Sequence, residues 1–192
     1  MIKSEKPGLL ERAKIAVEPL ISGSDFRLER ISYKPLEGEL TINLGSPDLD
    51  IAFRTILRGH SGVACHIRVN SEMKVFYTGY LFPVMGISVP IRKDETLPDY
   101  LNLKTTNPLA TYQDESDHLF LTSGAPEEIY RQCASMRDEI LKIRTIFRRE
   151  KIGETIQMYI TELKRNNRSE KYLDPDIFLG LFPSRNKMGE ES

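Results

Sequence analysis

The chain has 192 residues, 40% of them hydrophobic and 29% charged, which is the make-up of one folded domain, with or without an arm, rather than of a disordered chain. Twenty-seven basic against 28 acidic residues leave a net charge of −1, which argues against a chain dedicated to coating nucleic acid but leaves room for a local basic patch. Two cysteines exclude a disulfide-rich secreted scaffold, Glu5, Glu11, Lys14 and Glu18 interrupt any signal-peptide core, and no apolar run nears the roughly 20 residues that span a bilayer, so a soluble, cytoplasmic protein is expected.

Residues 9–21 carry a weak helical pattern, with Leu10, Ala13, Val17 and Leu20 at spacings of three and four, and Pro19 and Gly23 are expected to end it. A β-rich stretch follows from about Phe26 to Ile91. Residues 39–44 alternate, with Leu40, Ile42 and Leu44 on one face. Gly45, Ser46, Pro47 and Asp48 are turn chemistry. Residues 49–58 alternate again: Leu49, Ile51, Phe53, Thr55 and Leu57 face one way, and Asp50, Arg54 and Arg58 the other. Gly59, His60, Ser61 and Gly62 read as a hairpin loop. Val63, Cys65, Ile67 and Val69 form the next apolar face, opposed by His66, Arg68 and Asn70. After a turn at 70–72, residues 74–82 read as a strand covered on both faces. Short loops between successive strands make antiparallel pairing the economical arrangement.

Pro83, Gly86 and Pro90 reduce residues 84–91 to a short or edge strand at best. Residues 96–107 suit one or two helical turns, and 110–113 with 118–122 read as a hairpin around the acidic turn 114–117. The strongest signal is the stripe Ile129, Cys133, Met136, Ile140, Ile143 and Phe147, spaced 4, 3, 4, 3, 4. Pro126, Glu127 and Glu128 suit the start of that helix, Ser123 is a candidate cap, and Arg144, Arg148, Arg149 and Lys151 suit its end. Packing on the sheet is the preferred reading of this stripe over a coiled-coil seam. Gly153 weakens the helix, and a second stripe, Ile152, Ile156, Tyr159, Ile160 and Leu163, predicts a further helix over 154–165.

The fold class is therefore α+β: an antiparallel sheet packed by an N-terminal helix and a long C-terminal helix, with a further helical arm. The domain reading is an α+β unit over 1–150, a helical extension and linker over 151–171, and a tail over 172–192 whose end is disordered. The second stripe has no evident core partner in the sequence, which favours a homodimer and marks Ile156, Tyr159 and Leu163 as partner-binding residues. The apolar, proline-bracketed tail either folds back onto its own domain or docks in a partner's groove through Ile177, Phe178 and Phe182.

This order and spacing resemble the YbjN family and the type III secretion chaperone-like fold, over roughly residues 10–147. Residues 39–44 and 49–58 look like the family's early strands. Residues 74–90, ending in Val89 and Pro90, look like its "VP" strand. Residues 99–107 resemble its leucine- and asparagine-rich short helix, 110–122 its hairpin with an acidic turn, and 126–147 its final helix. The resemblance implies chaperone-like or regulatory protein binding, as a dimer, with no catalytic residues to transfer.

The residues themselves point to no chemistry. His60, Cys65, His66 and His118 lack metal-ligand spacing, and Cys65 and His66 take opposite faces of a strand. Cys133 lies within the apolar stripe, as a core thiol rather than a nucleophile paired with His118. Asp114, Glu115 and Asp117 sit on a hairpin tip as solvated carboxylates, and the Gly59–Gly62 loop lacks a phosphate-binding pattern. No catalytic residue, cofactor or metal is expected. Residues 131–171 carry 11 basic against 6 acidic side chains, so nucleic acid is the alternative partner, held by Arg144, Arg148, Arg149, Lys164, Arg165 and Arg168, with Arg54, Arg58 and Arg68 adding from a sheet face.

Overall fold

The computed structural model describes residues 8–34, 39–55, 63–69, 74–87, 125–148, 152–168 and 180–182. The expected loop at 59–62, the turns at 70–72 and 96–107, the hairpin at 110–122, Ser123 and the tail on either side of 180–182 lie outside the described residues.

Helix α1 (Leu9–Ile21) buries Ala13, Ala16, Val17 and Leu20. Leu10, expected on the same stripe, is 54% exposed, while Arg12 in the same turn is buried. Pro19 does not end the helix, since in the last turn its missing N–H removes a single bond. The backbone N–H of Ser22 still reaches the Glu18 carbonyl at 2.8 Å, and Gly23 then terminates the helix at φ 70°.

Among the described residues, five strands follow as an antiparallel meander in chain order: β1 (Arg27–Lys34), β2 (Glu39–Gly45), β3 (Leu49–Thr55), β4 (Val63–Val69) and β5 (Lys74–Tyr77). The β2–β3 turn closes on Ser46, whose N–H and hydroxyl both donate to the Leu49 carbonyl. Thr55 continues that ladder, its hydroxyl accepting the Leu40 N–H at 2.7 Å. Ile42 faces Phe53, Ile51 faces Ile67, and Ile67 faces Phe76, so the alternating apolar residues stack into one face. In β1 the alternation breaks. Leu28 pairs with Leu44 and Arg30 with the next residue, Asn43, leaving Glu29 as an extra residue in a bulge.

The expected strand over 74–82 is only half a strand. It stops at Tyr77, and α2 (Thr78–Val84) begins, so Val84 is helical rather than the start of an edge strand. Thr78 leaves the sheet with its hydroxyl donating to the Cys65 carbonyl at 3.0 Å. The Tyr77 ring folds back over Gly79, where a Cβ would lie 2.7 Å from the ring. Leu81 and Phe82 then point into the core.

Helix α3 (Ala125–Arg148) buries every member of the 4-3-4-3-4 stripe. It packs on α1 and reaches β3 and β4, while α2 packs on β4, β5 and α4 (Ile152–Arg165). Apolar side chains of the four described helices join the first face of the sheet in one core. Helix α4 is no free arm. Ile156, Tyr159 and Leu163 are buried in that core, and Tyr159 meets Phe76 edge-to-face at 5.2 Å. Its hydroxyl accepts the Tyr77 N–H at 2.8 Å, on the edge strand β5. The second stripe thus finds its partner within the chain, and the case for a second subunit built on it falls away.

Candidate binding face

A sheet with its helices on one side usually leaves the other side polar and wet. Here the second face is buried as well: Asn43, Asp50, Ala52, His66 and Arg68 are each at most 6% exposed. Two cross-strand rows build it. One runs Asn43, Ala52, His66, Tyr77, and the other Gly45, Asp50, Arg68, Val75. Among the described residues, Leu181 and Phe182 of the tail lie on it, packed with Ala52 and Val75 in a second apolar cluster.

The contacts are of three kinds. Arg68 Nε donates to Asp50 Oδ2 at 2.7 Å, and its Nη2 donates to the same oxygen. Both side chains are out of solvent, at 5% and 0% exposure. The guanidinium stacks over the Phe182 ring at 4.7 Å. The amide of Asn43 donates to the main-chain carbonyl of Leu181. Asp50 therefore holds the edge of the Arg68 fork and leaves a guanidinium face for an aromatic ring.

His66 sits in the same face with its ring 5.4 Å from that of Tyr77. Burial, aided by the charge of Arg54, pushes its pKa down to about 4, so it is neutral near pH 7. Burial raises the Tyr77 hydroxyl above its ordinary value. At the rim, Arg54 Nε donates to Glu39 Oε2 at 2.9 Å.

Several sequence expectations change here. His66, on the polar side of its strand opposite Cys65, is buried. Arg68 and Arg54 do not feed a basic patch, because Asp50 and Glu39 neutralise them. Phe182 is 4% exposed against its own sheet, while Ile177 and Phe178 lie outside the described residues. Cys65 and Cys133 are both buried in the core, where loss of solvation pushes both thiols well above their ordinary range. Among the described residues, no group of three or more His, Cys, Asp or Glu can hold a metal ion, and no helix is long and apolar enough to cross a membrane.

The basic residues are widely engaged. Arg144 pairs with Asp25 at 2.6 Å, lies 3.9 Å from Asp48, and stacks over Phe26 at 5.1 Å. Its hydrogen bond holds the Asp25 carboxyl below the usual carboxylate range. Arg148 also pairs with Asp48. Arg165 lies 3.8 Å from Glu162, and Arg168 Nε donates to the Tyr80 hydroxyl at 3.1 Å. Lys164 is exposed, and Arg149 lies outside the described residues.

The sequence reading missed Asn43, Asp50, Ala52, Arg68 and Val75 as a set. The available signal was a pair of opposite charges, Asp50 and Arg68, on the polar sides of two strands expected to form a hairpin. In comparisons with known proteins, no family model matches this chain, and no curated protein or solved structure is significantly similar to it.

Proposed function

We propose that this chain is a cytoplasmic, non-enzymatic, chaperone-like regulator that binds another protein, and that the second face of its sheet is the binding face. One observation carries the reading. A short apolar segment, Leu181 and Phe182, is seated there by a hydrogen bond from the Asn43 side-chain amide to the Leu181 carbonyl and by a ring contact from Arg68. Strand-borne side chains with paired charges make a rigid seat, and a rigid seat spends little entropy on ordering itself when a segment binds. The tail is then a resident occupant that a partner displaces. The resemblance of residues 10–147 to the YbjN family and the secretion chaperone-like fold implies the same class of function.

The test uses the full-length Phe182→Ala chain and a fluorescein-labelled peptide of residues 176–186. The substitution empties the ring position while keeping the rest of the tail. Saturable binding in fluorescence anisotropy, weaker for the wild-type chain whose own tail competes, is the expected result. A folded variant that shows no binding up to about 1 mM peptide, a bare 4 kcal/mol of affinity, would sink the proposal.

A further inference from the structure

Resting on that reading, we infer that the partner offers a segment with an aliphatic residue followed directly by an aromatic one, and that Arg68 is the residue that reads the ring. Leu181 and Phe182 are the chain's own copy of that segment.

The seat reads the two positions differently. At the first, the Asn43 amide donates to a main-chain carbonyl, which every residue possesses, so this contact sets direction and register without choosing a side chain. At the second, the guanidinium of Arg68 lies over the ring. A cation gains from a π-face what it does not gain from an aliphatic side chain of similar size, and it gains most where water is excluded. Arg68 is excluded from water, at 4% exposure. Its orientation does not depend on the ring, because both donors on that edge already hold Asp50. Lysine has no flat face to offer in the same place. Ala52 and Val75 form the floor, and both are buried with the ring in one cluster. The small Ala52 beneath leaves depth for a bulky group above.

All peptides are compared on one folded protein variant, so differences between them do not come from the protein's folding. Full-length Phe182→Ala chain is titrated with the 176–186 peptide and with versions carrying Leu, Trp or Ala at position 182. If the alanine chain does not fold, Phe182→Leu serves in its place. Leu in the peptide should weaken binding about tenfold or more, Ala about a hundredfold, and Trp should bind at least as tightly as Phe. Equal binding of the Phe and Leu peptides overturns the inference while leaving the sheet face as a binding surface. Failure of every peptide overturns the proposed function as well. A wild-type dimer that Phe182→Ala dissolves assigns the seat to a second copy's tail and also overturns it.

Discussion

Replacing Asp50 by alanine would leave the Arg68 guanidinium buried without its counter-charge. The pair is closed to solvent at 0% and 5% exposure, and both hydrogen bonds converge on one carboxylate oxygen. Breaking a buried pair of this kind from one side costs about 3–5 kcal/mol, because the remaining charge keeps its desolvation penalty and loses its compensation. Against a typical domain stability of about 5–15 kcal/mol, that is roughly a fifth or more of the total. Removing both charges is a different matter. With leucine at 50 and methionine at 68, the volume is largely kept and neither charge is buried, so stability should return to within about 1 kcal/mol of wild type. Methionine also keeps a polarisable contact with the Phe182 ring. Urea unfolding of the wild type, Asp50→Leu, Arg68→Met and the double variant closes a thermodynamic cycle, with Asp50→Ala measured beside it. A single-variant loss under about 1 kcal/mol, or a double variant no better than Asp50→Ala, would refute the view that this pair is desolvated and mutually compensated.

Acid should weaken the fold through His66, whose pKa of about 4 lies below its ordinary 6.5. The folded state resists a proton that the unfolded state accepts, so nothing is lost above about pH 6.5, and stability falls as pH drops towards 4 by about 3 kcal/mol. Urea midpoints at pH 7 and pH 4.5 for wild type and His66→Gln check this, and an equal fall in both chains removes His66 as the cause. Tyr159→Phe should cost about 1–2 kcal/mol by leaving the Tyr77 N–H of the edge strand without its acceptor. Amide hydrogen exchange at Tyr77 should quicken in the same variant, and unchanged protection counts against the contact. Cys65 and Cys133 should resist a thiol reagent at pH 8 until denaturant is added. Rapid modification of the native chain would contradict their burial.

Where one side of an element is apolar, the sequence pattern and the structure agree. The α3 stripe from Ile129 to Phe147 is buried at every position, and the alternating residues of β2, β3 and β4 all join the first face. The pattern fails where its period is interrupted. The bulge at Glu29 moves the apolar positions of β1 from Leu28 to Ile31 and Tyr33, so no single alternation runs through the strand. In 74–82 both sides are apolar, and only the departure of the chain at Thr78 separates strand from helix. Helix α4 was legible as an amphipathic stripe, but not the surface it covers. Tyr77 and Tyr159 are 82 positions apart, and no local rule joins them.

By itself, then, the sequence determined which face of its element each side chain takes, since a period of two or of three to four assigns it whatever the rest of the chain does. What those faces meet was left to tertiary structure. Asp50 and Arg68 stand 18 positions apart, and Asn43 and the Leu181 carbonyl 138. Strand register brings the first pair together, and closure of most of the chain brings the second. Periodicity fixes direction within an element but carries no information about distance between elements. The charged side of the sheet therefore reads as a solvated surface in the sequence and becomes a buried seat for Phe182 only in the folded molecule.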